Sequence, residues 1–347
     1  MSSKECGLAA IKIAGTPYET GFALGQFGAS AVHDRLVPSP HWREIVVPAR
    51  DDPRVPAMMA LTERHYPAVL EELRGLAAGL DMPFADIFAW NCRGDLRTHA
   101  PDGCTTVQLP GSTNLVAHNE DGMPEFDGYC ALATVHPAVG PSFIAFIYPG
   151  SIPGHTFSVN DQGLVQTVNN IRCTAHRPGL PRMVLTRAML GCESIDAAVA
   201  VLQDVPRAGG FHMTLAMMGD PRIVSVEFNA DALSTLEIEA PATHANHLIH
   251  PRMAGLAQRI TASSGSRQQH ADALLSARGA QGSALVLGIL SDQTGALPIY
   301  RRQADDPDHE NTLATAVFEL TADSVAWTVY DGRHRAPVHS GVITGAD

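Results

Sequence analysis

At Cys104 the hydrophobic pattern of this chain changes period, and that change limits the folds open to it. The first hundred residues read as helical. Residues 19–32 lack proline and carry Gly21, Gly25 and Gly28 near helical spacing, so this helix can lie close against a neighbour, whose packing must offset the poor helix propensity of glycine. Residues 57–79 set Met58, Leu61, Val69, Leu70, Leu73 and Leu76 among charged residues, an amphipathic pattern broken at Pro67. A short helix over 83–96 follows. From Cys104 onward, short β-type runs at 105–109, 114–119, 130–135, 143–148, 155–159 and 164–168 are separated by Gly, Pro and Asn. Two helices at 182–190 and 194–205, the second capped by Ser194, precede strands near 212–218, 223–228 and 235–239. Helices at 266–276 and 283–290 lead to a last hairpin, 313–320 with 325–330. Strands arrive in groups and helices in pairs, which argues against a doubly wound parallel sheet and favours stacked antiparallel sheets covered by helix pairs. Residues 38–53 and 303–311 are expected to be surface loops.

Composition narrows the function. With 347 residues, 45% hydrophobic and 17% charged, the chain buries a core as one or two domains and is not disordered. Its 24 Lys and Arg against 36 Asp and Glu give a net charge of −12, with no basic run, so nucleic acid and anionic membranes are poor partners. The first fifteen residues lack a signal-peptide pattern and no stretch of 18 apolar residues follows, which sets a cytoplasmic location as the expectation. Six scattered cysteines without a C-x-x-C pair read as reduced thiols, and most as small buried hydrophobes.

Several chemistries are missing from the sequence, including the G-x-S-x-G elbow, the H-E-x-x-H zinc helix and the G-x-x-x-x-G-K-[ST] phosphate loop. His244 and His247 sit at a spacing that sends their rings apart in extended chain, so no metal is expected there, nor any cofactor. The informative segment is Asp102-Gly103-Cys104-Thr105-Thr106, where the helical approach meets the first strand and Gly103 permits unusual backbone angles. Read alone, it is either a turn before a buried cysteine or an exposed thiol. Cutting the Gly103–Cys104 bond would give Cys104 a thiol nucleophile and a free α-amine of pKa about 7.7 to 8.0 as its own base.

That segment, followed by His118-Asn119-Glu120-Asp121, resembles the nucleophile region of the acyl-coenzyme A:isopenicillin N acyltransferase family of self-processing N-terminal-nucleophile hydrolases. The resemblance continues upstream through Gly15-Thr16-Pro17-Tyr18-Glu19, Leu73-Arg74-Gly75 and Asn91-Cys92-Arg93. Downstream it runs through Asn160-Asp161-Gln162-Gly163-Leu164, Asn169, Gly179-Leu180-Pro181, Arg187, Val226-Glu227-Phe228, His244-Ala245-Asn246-His247 and the segment from Thr312 to Glu319. It implies an α+β fold, a four-layer αββα sandwich with a helical amino-terminal part. Residues 1–103 would become one fragment and 104–347 the other, the two remaining associated after self-cleavage between Gly103 and Cys104. Cys104 takes the place of the family's nucleophile, Asp121 of its aspartate, which would hold the new ammonium, and Asn246 of its oxyanion-stabilising asparagine. Asn169 and His309 are carried over as substrate-binding positions. The implied reaction is hydrolysis of a small-molecule amide through a Cys104 thioester, or acyl transfer with an acyl-coenzyme A or an amine as co-substrate, hydrolysis being favoured. Hydrolysis of a β-alanyl-type amine is the alternative substrate, and a non-catalytic ligand-binding relative the alternative class. Two positions depart from the pattern. Gly122 stands where many relatives have an aromatic residue, leaving the pocket less filled, and His309 stands where penicillin-forming members have arginine, which weakens a carboxylate clamp.

Overall fold

A computed structural model describes residues 7–99, 103–277, 282–303, 307–333 and 335–345. The amino-terminal part comprises a strand, β1 (Ala9–Gly15), and helices α1 (Pro17–Ala31), α2 (Pro40–Ala49), α3 (Arg54–His65), α4 (Pro67–Gly79), α5 (Phe84–Asn91) and α6 (Arg93–Leu96). Thr16 caps α1 in a reciprocal box with Glu19, and Pro17 fills the first turn, where its missing N–H costs nothing. The glycines of α1 do what their spacing suggests. A Cβ on Gly21 or Gly25 would overlap backbone of α4, and one on Gly75 or Gly79 would overlap backbone of α1, so the two helices touch main chain to main chain.

Two sequence expectations fail in this part. The first hundred residues are not all helical, because β1 pairs in parallel with β4 (Ala131–Pro137) from Ala9 opposite Ala131 to Gly15 opposite Pro137. Residues 38–53 are not a loop, because α2 occupies their centre. Ser39 accepts from the backbone N–H of Trp42, Pro40 sits in the first turn, and Trp42, Ile45, Val46 and Ala49 are buried at helical spacing.

The remaining strands are β2 (Gly103–Leu109), β3 (Asn114–Gly122), β5 (Phe143–Ile147), β6 (Phe157–Asn160), β7 (Leu164–Asn170), β8 (Phe211–Met217), β9 (Ile223–Phe228), β10 (Leu233–Glu237), β11 (Ala242–His244), β12 (Asn311–Leu320), β13 (Ser324–Asp331) and β14 (Pro337–Thr344). The helices are α7 (Arg182–Met189), α8 (Ile195–Ala200), α9 (Ala262–Ala277) and α10 (Ser283–Leu290). One sheet has eight strands in the order β1-β4-β5-β6-β7-β8-β9-β10, the other six in the order β11-β2-β3-β12-β13-β14. Apart from the β1–β4 pair, the pairings between these strands are antiparallel among the described residues. The chain is thus an α+β sandwich. Between the sheets, the Phe157 ring lies 5.3 Å from Phe146 and 6.4 Å from Phe318. On the other face of the six-stranded sheet, Val107, Leu109, Leu115 and Ala117 pack with Leu285, Val286 and Ile289 of α10. No helix among the described residues is long and apolar enough to cross a membrane.

Candidate active site

The hairpin of β2 and β3 sets the geometry. Pairing runs outward from Leu109 opposite Leu115, so Cys104 falls opposite Glu120, and Gly103 opposite Asp121. Directly opposed residues share a face and neighbours alternate. Cys104, Thr106, His118 and Glu120 therefore point into the space between the sheets, while Gly103, Thr105 and Asp121 point toward α9. Cys104 and Glu120 are each 1% exposed, and Sγ lies 3.8 Å from Oε2 of Glu120, to which the thiol donates.

Asn246 reaches the same residue through the backbone. Strand β11 pairs with β2 only as far as His244 opposite Thr106. Beyond that point the Asn246 side chain replaces the ladder, its Oδ1 accepting the Cys104 N–H at 2.9 Å while its Nδ2 donates to the Asn170 carbonyl at 3.0 Å. In the uncut chain both ends of this amide are therefore engaged. Glu227 pins the loop that carries it, accepting from His244 Nε2 at 2.8 Å and from the backbone N–H of Ile249 at 2.7 Å. Burial favours protonation of Glu227, yet the hydrogen bond and charge from His244 outweigh it and hold the carboxyl below its usual range. The His244 ring also stacks 3.3 Å from that of His212. His247 turns away to Ser264, 2.8 Å distant, as the sequence spacing suggested.

The opposite face is charged and buried. Arg267 of α9 donates to the Cys104 carbonyl, to Thr105 Oγ1 at 2.9 Å and to Asn246 Oδ1 at 2.6 Å. Burial draws its guanidinium below its ordinary value, against the nearby charge of Asp121. Asp121 accepts from Thr312 Oγ1 at 2.6 Å. Glu310 pairs with Arg301 at 2.8 Å and Arg172 at 3.3 Å, and burial raises its carboxyl despite both cations. A Cβ on Gly103 would overlap the Glu310 carboxylate, so any larger residue at the expected cleavage position would have to displace that ion-paired side chain. Arg301 also lines an open cleft of about 590 Å³ with Gln293, Pro298 and Tyr300.

Among the expected site residues, Cys104, Gly103 and Asn246 come together, and Asp121 joins them from the α9 side. Asn169 lies across the sandwich and is linked through Thr106, whose hydroxyl is 2.8 Å from both Asn169 Oδ1 and His118 Nδ1. His309 is exposed with φ of 51°, and its neighbour Glu310 turns inward instead. The expected gap at Gly122 is filled, because Tyr148 lies so close that a Cβ there would overlap its hydroxyl and sit 2.9 Å from its Cε1. That hydroxyl donates to Glu120 Oε1 at 2.8 Å. Glu120, Arg267 and Glu310 were missed by sequence reasoning. Only Glu120 had a local signal, the hairpin register itself.

Cys104, His118 and Glu120 offer donor atoms that all lie within 4.8 Å of one another. No sequence motif marks a metal set here, yet a thiolate, an imidazole and a carboxylate are donors that suit zinc. Such an ion would occupy the thiol itself.

Residues 109–335 match the family model described as acyl-coenzyme A:6-aminopenicillanic acid acyl-transferase, a span that holds Asp121 and Asn246 and begins five residues after Cys104. Over 350 aligned residues, covering 90% of each chain, the sequence is 25% identical to a β-alanyl-dopamine/carcinine hydrolase of Drosophila melanogaster. On that match over most of its length, the chain belongs to the acyl-coenzyme A:6-aminopenicillanic acid acyl-transferase family, whose enzymes include amide hydrolases and acyltransferases.

Proposed function

We propose that this chain is a self-processing cysteine amidohydrolase that forms a thioester on Cys104. The observation carrying this reading is the convergence of Gly103, Cys104 and Asn246, the last 142 residues further along the chain, at one strand end. Cleavage between Gly103 and Cys104 frees an α-amine at the position where Asn246 Oδ1 now accepts the Cys104 N–H. That amine takes the thiol proton, Sγ attacks the amide carbonyl of a substrate, and the departing amine collects the proton. Asn246, released from part of its present bonding, donates Nδ2–H to the developing oxyanion, and Asp121 and Arg267 hold the new terminus in place. Water then opens the thioester.

The proposal includes the four-layer αββα order, supported by α9 and α10 on the outer face of the six-stranded sheet. It also includes fragments 1–103 and 104–347 that stay together. Strand β1 hydrogen-bonds to β4, Glu72 of α4 pairs with Arg187 of α7 at 2.8 Å, and Asn91 accepts from the Ile152 N–H at 2.9 Å, so a strand ladder, an ion pair and a buried hydrogen bond cross the cut. The Drosophila relative favours β-alanyl amides as the substrate class over penicillin-type acceptors, in keeping with exposed His309 in place of a clamping arginine.

The test is to incubate processed protein with β-alanyl and other N-acyl amides, with and without an excess amine acceptor, and to count free acid against new amide. Free acid should dominate. Transfer product exceeding free acid at millimolar acceptor would overturn hydrolysis, and no turnover of any amide by a cleaved chain would favour the ligand-binding alternative.

A further inference from the structure

Self-cleavage poses a problem that turnover does not. Before the cut, the Cys104 nitrogen is an amide whose N–H is already donated to Asn246, so it cannot accept the thiol proton. Cys104 is 1% exposed, which leaves bulk solvent a poor acceptor as well. The thiol instead donates to Glu120 Oε2, 3.8 Å away on the neighbouring strand. We propose that Glu120 is the base of the processing step, and this rests on the reading of Cys104 as the nucleophile.

The surroundings of Glu120 hold its carboxylate toward the sulfur. Tyr148 donates to Oε1 at 2.8 Å, and His118 Nε2 lies 3.2 Å from Oε2. His118 is fully buried and held neutral, its pKa pushed down to about 3 by burial. A neutral ring carries one proton. The Thr106 hydroxyl gives its one proton to Asn169 Oδ1 and therefore accepts from His118 Nδ1 at 2.8 Å, so Nε2 faces Oε2 as an acceptor for the proton that Glu120 takes from the thiol. His118 and Tyr148 are thus positioning residues, and Glu120, which touches the reacting sulfur, is catalytic. The proton leaves Sγ for Oε2, and the thiolate adds to the Gly103 carbonyl carbon. The bond from that carbon to the Cys104 nitrogen breaks, and the proton passes from Oε2 to this nitrogen. The Gly103 acyl group is now a thioester on Sγ, which water cleaves to a carboxylate and the free thiol. From then on the α-amine does the work, so the two reactions use different bases at one nucleophile.

The experiment follows the intact mass of freshly translated full-length chain over time, for wild type, Cys104→Ala and Glu120→Gln, with and without hydroxylamine. Glu120→Gln should be cut about a hundredfold more slowly or less, the ordinary range for loss of a general base. Hydroxylamine should not speed it, because no thioester forms. Cutting within tenfold of wild type, or rapid release by hydroxylamine, would overturn the assignment of Glu120. If Glu120→Gln does not fold, Tyr148→Phe supplies the readout. It keeps the base but removes a donor to it, so the acid limb of the processing rate should move to higher pH, and an unmoved limb would overturn the assignment. A wild-type chain that never cuts defeats the Cys104 reading itself, whereas wild type and Glu120→Gln cutting alike defeat only the role of Glu120.

Discussion

His118 should make this fold acid-labile by a calculable amount. Its ring is 0% exposed between Thr106 and Glu120, and burial lowers its pKa from 6.5 to about 3. In the folded chain it is neutral at pH 5, whereas the unfolded chain binds a proton there. A depressed folded pKa contributes stability that is present above about 6.5 and is lost as pH falls toward 3. At about 1.36 kcal/mol per unit, lowering the pH from 7.5 to 5.0 should remove about 2 kcal/mol through this residue alone. His155 and His212 are buried and depressed in the same direction, so the whole protein loses more, and the informative quantity is a difference. Urea unfolding followed by the fluorescence of the three tryptophans, at both pH values, would compare His118→Gln with its parent in a Cys104→Ala background that keeps the covalent chain constant. The His118→Gln chain should lose about 2 kcal/mol less between the two pH values. Equal losses in both chains would mean that His118 gains its proton while folded, and the buried neutral ring would be refuted.

Two further outcomes are expected. Asn246→Ala should process poorly and turn over amides about a hundredfold or more slowly with its circular dichroism unchanged, because it removes one oxyanion donor, and normal kinetics would take Asn246 out of the site. Trp42→Ala should cost about 3 to 5 kcal/mol in denaturant unfolding, because its ring is 4% exposed and lies 6.1 Å from Trp90, whereas a loop at 38–53 would lose almost nothing.

Much of this could be read along the chain, and the failures have physical causes. The strands after Cys104 alternate or run apolar between glycines, and 283–290 is predicted to the residue as α10, because both signals are local. Strand β1 escaped because Ala9–Gly15 is weakly apolar and gains its partner only from β4, more than a hundred residues later. Helix α2 was hidden by its prolines, although Ser39 and Pro40 are a standard start and Trp42, Ile45, Val46 and Ala49 follow at 3.6 spacing. At the site, Cys104, Asp121 and Asn246 came from family resemblance. Arg267, Arg172, Arg301 and Glu310 carry no motif, since four separate segments bring them to Gly103 and Asp121. Glu120 was within reach of counting, because a hairpin pairing Leu109 with Leu115 must set it opposite Cys104. Tyr148 in the space beside Gly122 was not, since only the sandwich brings β5 there.

The central claim is that Cys104 is the nucleophile, and the intact mass of the denatured protein tests it most directly. The 36.9 kDa wild-type chain should resolve into fragments of about 11 and about 26 kDa whose junction lies between Gly103 and Cys104, and Cys104→Ala should remain one chain. Cleavage of Cys104→Ala at the same bond, as complete as in wild type, would contradict it.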